Sequence, residues 1–375
     1  MHKIGLLKEI KNFESRVGLS PEGVKILVES GLEVFVESGA GSECSFSDEQ
    51  YSDAGATIVP SAEKLVKNAD LLIKVLPLSP VEEELIDNSH IVFSFLKLSP
   101  KIERLNSLVD KKFTYFAADL LEDQKGVYTV LEAMSEVAGR MVVHVAASLL
   151  STTYGGRGLL LSGANVIPPA NVTIIGSGLV GRVAAVHAWT NGANVNVLTL
   201  KPERIKKYKI QRDGLEINEF SREKLDELLP KTDVIIVAVY SLKQAPEKYL
   251  MDKESIKLLQ PGSLIMDLSV DRNQVVETSH ITNIIQPTFV LDDIVHYCVP
   301  NITSTVPVTS SKIFTMKTLP FIEILAKHGL KMAIDKSPEL LSALALYKGK
   351  VTNRIIADRF GFTFHNIFDL LELNL

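Results

Sequence analysis

Two cysteines in 375 residues, Cys44 and Cys298, are too few for a disulfide scaffold and lack the spacing of a zinc site. Both are expected to be reduced thiols in a cytoplasmic protein. An excess of positive charge is also missing. Forty Lys and Arg stand against 45 Asp and Glu, a formal net charge of −5, and no basic run is dense enough to track the phosphates of a nucleic acid. No apolar run approaches the roughly 18 uninterrupted residues of a membrane span. The opening MHKIGLLKEIKNFESR has no long apolar stretch ahead of a cleavage site. Internal repeats and low-complexity tracts are absent as well. These absences argue against nucleic acid and membrane as partners, implicate no metal, and favour a small-molecule ligand.

What is present has the balance of a globular chain, 46% hydrophobic and 23% charged, at a length beyond one ordinary core. Two domains are expected. The first 120 residues alternate short β-branched runs (KIGLL, EVFVES, LLIKVL, IVFSFL, FTYFAAD) with amphipathic ones, the rhythm of a parallel sheet with crossover helices. Ser20-Pro21-Glu22 offers a capping hydroxyl, a proline suited to the first turn and an early carboxylate, and Gly31 is placed to stop the helix they open. From about Val130 to Tyr154 the pattern is helical and long enough to link two domains. A Gly/Pro-rich stretch, GGRGLLLSGANVIPPAN, then reads as loop. A second alternation follows, from VTIIG through NVNVLTL, VIIVAVY and SLIMDLS to a strand at FVLDDI. The tail after Pro307 reads as mostly helical and is expected to return to the first domain. The fold class expected is therefore α/β, two Rossmann-like doubly wound domains, with the nucleotide domain (131–306) inserted in a catalytic domain made of 1–130 and 307–375.

Val172-Thr-Ile-Ile-Gly176-Ser-Gly178-Leu179-Val180-Gly181 is a β-branched strand running into G-x-G-x-x-G and an amphipathic helix. One glycine serves the tight turn, one the close approach of backbone to pyrophosphate, one the contact of helix with strand, and the helix N-terminus faces the negative charge. A bare glycine pattern is also compatible with an ordinary strand–helix turn. Its place between two buried-type strands favours a dinucleotide. The next strand ends on Thr199, where an NAD site usually carries the acid that binds the adenosine ribose. Lys201 and Arg204 follow and are suited to a 2′-phosphate, although both also fit as solvated helix-cap cations. NADP(H) therefore stays open beside NAD(H).

With these residues in place the chain resembles the alanine dehydrogenase and pyridine nucleotide transhydrogenase family, most of all its alanine dehydrogenases. The resemblance runs over nearly the whole chain. Its carriers are KEIKNFESRVGLSPEGV, VESGAG, FSDEQYSDAGA, DLLIKV, AMSEVAGR, YGGRGLLL, VTIIGSGLVG, HYCVPN, TVPVTSS and LYKGKVTN. It implies the reversible oxidative deamination of L-alanine, or a similar small amino acid, to pyruvate and ammonium with NAD(H), in a homo-oligomer, a hexamer or a dimer. By resemblance, Arg16 clamps the substrate carboxylate, as its planar fork suits, and Lys74 is the substrate-binding and catalytic lysine, against the plainer reading of a surface cation at a strand end. Asp271 matches the aspartate at the reacting centre, with Asp267 its competitor for a capping role. Ser135 matches a pyrophosphate contact, Leu268 to Asp271 a nicotinamide-ribose stretch and Asn301 an asparagine beside the nicotinamide. Ser221 is expected near the adenine, and Val239 among the cofactor contacts.

Departures from the family pattern gather around the same site. After F-x-F-L, where the family carries a histidine as proton donor, the chain has Lys97. The K-E-P after the lysine strand has become Leu76-Pro77-Leu78. Ile302 replaces a methionine, and Leu242-Lys243 replaces a P-G. They motivate an alternative reaction, the joining of a 2-oxo acid and a larger amine as in saccharopine-type dehydrogenases. A third reading, the nucleotide-binding subunit of a transhydrogenase, has less use for a substrate clamp.

Overall fold

The helix expected after Ser20 forms as α1 (Pro21–Glu29) in a computed structural model of the chain, which describes residues 2–97, 102–201, 214–239, 249–271 and 275–372. Ser20 accepts the N–H of Gly23, Pro21 opens the first turn, and Gly31 leaves the helix at φ +86°. The chain divides into two compact units, one of Met1–Met134 with Val306–Leu375 and one of Ser135–Thr305.

In the first unit, β1 (Ile4–Leu6), β2 (Val34–Glu37), β3 (Thr57–Val59), β4 (Leu71–Ile73), β5 (Ile91–Ser94) and β6 (Thr114–Ala117) pair in parallel. Their order is β6-β5-β4-β1-β2-β3. Alternate residues bury into opposite faces: Leu71, Ile73 and Phe93 join one cluster, Leu72 and Val92 the other. That is why these strands read as continuous apolar runs. The second unit repeats the plan with β7 (Asn171–Ile175), β8 (Asn194–Thr199), β9 (Leu215–Glu219), β10 (Val234–Val237), β11 (Leu264–Asp267), β12 (Thr288–Leu291) and β13 (Ile294–Tyr297) in the order β12-β13-β11-β10-β7-β8-β9. Both sheets reverse direction beside their first strand, between β1 and β4 and between β7 and β10. Open α/β sheets bind ligands outside the carboxyl ends of the strands at such a switch.

Three expectations are corrected. The helix read as Val130 to Tyr154 is α6 of the chain only over Thr129–Leu149, and Thr152–Tyr154 is a separate 3-10 turn closed by Gly155 at φ +82°. FVLDDI is not one strand: Asp292 and Asp293 both take positive φ and turn β12 back on β13 as an antiparallel hairpin. The tail is helical over Pro307–Lys336, with non-helical backbone at Gly329, and again over Glu339–Ala343, Arg354–Phe360 and Ile367–Leu370, but a hairpin interrupts it. Lys348 and Gly349, at φ +48° and +78°, make a second tight hairpin of β14 (Leu344–Tyr347) and β15 (Lys350–Val351), and β14 pairs antiparallel with β6. The helical reading missed it because the alternation in LALYKGKV is short, while the two-residue turn needs only a glycine to tip the balance.

Candidate functional site

The carboxyl ends of β1, β4, β5 and β6 bring seven ionisable side chains of the first unit together. Arg16, 3% exposed, lies in the segment between β1 and α1 and is met by Glu14 two residues earlier: Nε donates to Oε1 and Nη2 to Oε2, both at 2.6 Å. Nη1 lies 3.7 Å from the sulfur of Met134. Burial by itself would raise the Glu14 carboxyl, but the Arg16 charge and hydrogen bonds outweigh it and hold it below the usual value, with a smaller contribution from Lys97. The Glu14 carboxylate therefore feels both cations, Arg16 through direct hydrogen bonds and Lys97 through its charge.

Lys74 follows β4 directly and is 1% exposed. Its Nζ pairs with Glu82 Oε1 and lies 3.7 Å from Glu9 Oε2. Glu82 is held in turn as the third residue of a helix capping box with Ser79. Glu9 Oε1 accepts the N–H groups of Val75 at 2.7 Å and Leu76 at 3.2 Å, stitching the exit of β1 to the exit of β4. Glu9 Oε2 is buried without a hydrogen-bond partner among the described residues. Burial pushes the Glu9 carboxyl up to about 7 against the pull of Lys74, and Glu14 adds to the rise.

Lys97 leaves β5 with φ +46°, a left-handed conformation that a side chain disfavours. Asp119, just past β6, accepts the N–H of Leu96 at 2.8 Å and of Lys97 at 3.0 Å, one on each carboxylate oxygen. Neither Glu9, Glu14, Glu82 nor Asp119 stood out in sequence. The strand-end position of Asp119 in FTYFAAD and the spacing of Glu14 to Arg16 were the available signals.

In the second unit the glycine turn follows β7. Gly176 has φ +110°, and a Cβ on it would lie 2.5 Å from the Ala238 carbonyl oxygen. A Cβ on Gly181 would collide with the carbonyl of Gly176, so the first turn of α7 (Leu179–Thr190) rests directly on the strand exit. Gly178 caps α7 with no side chain, and a Cβ there would meet only the Ala238 oxygen, at 3.9 Å. An uncapped helix start with open space before it is the cradle a pyrophosphate requires, so the residues present fit a dinucleotide. Gly139 of the helix Thr129–Leu149 packs on α7 so closely that a Cβ would lie 2.8 Å from the Val180 oxygen. Ser135 lies four residues before Gly139 in the same helix and is half-buried.

Thr199, at the end of β8, is buried, shares a short hydrogen bond with Ser177 of the turn and accepts the N–H of Lys201 at 3.1 Å. Arg204, Leu242 and Lys243 lie outside the described residues. Ser221 caps the helix Arg222–Leu228 by accepting the N–H of Lys224. Val239 packs its Cγ2 against the Gly176 position and donates its N–H to Ser269 Oγ at 2.9 Å. Leu268 donates its N–H to the Val237 carbonyl, tying the exit of β11 to β10. Asp267 accepts the N–H of Ser269 at 2.8 Å, and burial pushes its carboxyl up to about 6. Asp271 stands four residues beyond it, half-buried. Asn301 accepts from Thr303 at 3.2 Å through its side chain.

Two doubly wound units, one with a glycine turn before an uncapped helix and one with a buried arginine and lysine at its strand ends, define a nicotinamide-dinucleotide class of α/β protein. The chain belongs to the alanine dehydrogenase/PNT family: the model of its N-terminal domain matches residues 5–138 and that of its C-terminal domain residues 142–354. It is 36% identical over 371 residues to an alanine dehydrogenase of Staphylococcus epidermidis, covering 99% of this chain and all of that one. Among solved structures it is similar to an L-alanine dehydrogenase, with TM-score 0.88 and 33% identity over 96% of this chain and 99% of the other. A transhydrogenase of Sinorhizobium meliloti shares the fold at TM-score 0.76 and 22% identity, over 94% of this chain and 99% of the other.

Proposed function

We propose that the protein is an alanine dehydrogenase, interconverting L-alanine, water and the oxidised dinucleotide with pyruvate, ammonium, the reduced dinucleotide and a proton. The observation that carries this reading is the buried Glu14–Arg16 pair within electrostatic reach of Lys97, in a chain that also holds the Gly176–Gly181 cradle. A dinucleotide held at that cradle by its pyrophosphate would supply hydride transfer at the nicotinamide C4. Gly178, Leu179, Val180 and Ser135 would hold the pyrophosphate, and Thr199 the turn itself through Ser177.

Arg16, aligned by Glu14, receives the substrate carboxylate. Lys97 donates a hydrogen bond to the carbonyl oxygen, polarises it, and hands over a proton when that oxygen leaves as water. Asp271 orients the incoming ammonia. Lys74, paired with Glu82 and 3.7 Å from Glu9, is the second buried cation of the cluster and, as the resemblance implies, binds the substrate beside Arg16. NAD(H) is the expected cofactor and a homohexamer the expected assembly.

The test is purified protein with pyruvate, ammonium and NADH, then NADPH, followed at the nicotinamide absorbance. Turnover that disappears in Arg16→Ala supports the reading, and absence of turnover with both cofactors overturns it. The lysine at position 97, where the family carries a histidine, favours one second reading, condensation of a 2-oxo acid with a larger amine. A mass-spectrometric screen of amine and oxo-acid pairs detects it, and activity on free ammonium alone counts against it.

A further inference from the structure

We propose that Asp119 is a positioning residue for Lys97, a two-pronged anchor on the peptide that leads into the lysine, and so aims its ammonium toward the Glu14–Arg16 pair. The inference rests on Lys97 being the cation that meets the substrate carbonyl.

The geometry is that of a clamp. One carboxylate oxygen of Asp119 takes the N–H of Leu96 and the other that of Lys97. Consecutive amides bound by one carboxylate fix the ψ of the residue between them, Leu96, and with it the plane of the peptide from which Lys97 turns at φ +46°. The residue before Leu96 is fixed too: Phe95 donates its N–H to the Val75 carbonyl at 2.9 Å, and its own carbonyl accepts from Tyr115 at 3.0 Å. Tyr115 comes from β6, the strand that ends just before Asp119. Neighbours on both sides thus leave the exit of β5 one conformation up to Lys97. Ser94, Phe95, Leu96, Tyr115 and Asp119 are all buried, whereas Lys97 is half-buried. A strained backbone held this firmly under a half-buried cation is the pattern of a functional side chain that its surroundings must aim.

An asparagine at 119 keeps the shape but can accept only through its oxygen, so one of the two N–H groups faces an NH2 instead. In the reductive amination assay Asp119→Asn is expected to lower kcat at least ten-fold while the KM for NADH stays within two-fold. In a Lys97→Ala background the same change is expected to alter the residual kcat less than two-fold, because the residue being aimed is gone. Amide hydrogen exchange at Leu96 and Lys97 should accelerate in Asp119→Ala, a readout that needs no turnover. Wild-type kcat in Asp119→Asn, an equal loss with and without Lys97, or unchanged amide protection would each overturn the proposal. A wild-type protein inactive on pyruvate and ammonium refutes the proposed reaction instead, and the exchange experiment still decides the clamp.

Discussion

At the scale of single residues, the first unit keeps two costly features where its strands end. A non-glycine residue in the left-handed region costs about 1–2 kcal/mol, part of which glycine returns through the entropy of the unfolded chain. Lys97→Gly is therefore expected to raise the melting temperature slightly while removing activity; a lower melting temperature would show that the lysine side chain contributes more stability than its backbone costs. Glu9 is the second feature. Its carboxyl, raised to about 7 from an ordinary 4.5, keeps a proton in the folded protein that the unfolded chain has lost across that interval. Its contribution to stability is complete below about pH 4.5 and is lost as pH rises through 7. Glu9→Gln, which cannot ionise, should flatten the decline of melting temperature between pH 5 and 8, and an equally steep decline in the variant would place the titrating group elsewhere.

Among elements, the junction of β7 with α7 is the most exacting. Because a Cβ on Gly181 would strike the Gly176 carbonyl, Gly181→Ala must push the helix start away from the strand and spoil the row of N–H groups that faces a pyrophosphate. The dissociation constant for NADH, read by its fluorescence, is expected to rise at least ten-fold, with the far-ultraviolet circular dichroism nearly unchanged. This junction was legible in the sequence, since strand, glycine spacing and helix are all local. The two hairpins were not. Asp292-Asp293 and Lys348-Gly349 each reverse the chain in two residues, and an apolar run does not reveal such a reversal until the partner strand is known. The structure gives Thr199 a job that its position in the sequence concealed, the bond to Ser177 that ties β8 to the glycine turn.

For the whole molecule, both units use one strand order and place their chemistry at one kind of location, the switch beside the first strand. The pieces of the first unit's cluster come from residues 9 to 119, more than a hundred positions apart. The assembly belongs to this scale as well. A hexamer, as the family resemblance implies, predicts a light-scattering mass about six times the 41.3 kDa chain, and a sharp peak at twice that mass would replace it with a dimer.

Local chemistry by itself determined the α/β class, the dinucleotide turn and the α1 cap, because each depends on neighbours within a few residues, whereas Arg16 and Lys97 became candidates through the family resemblance. Only tertiary structure decided what surrounds each lysine. Lys74 and Lys97 look alike as cations at strand ends, and what separates them is their company: Glu9 from a distant segment and Glu82 eight residues on meet the first, and one carboxylate holds the peptide leading into the second. A charge's role depends on which groups surround it in space, and strand order, which brings residues 9, 82 and 119 to those places, is not written in any one stretch of chain.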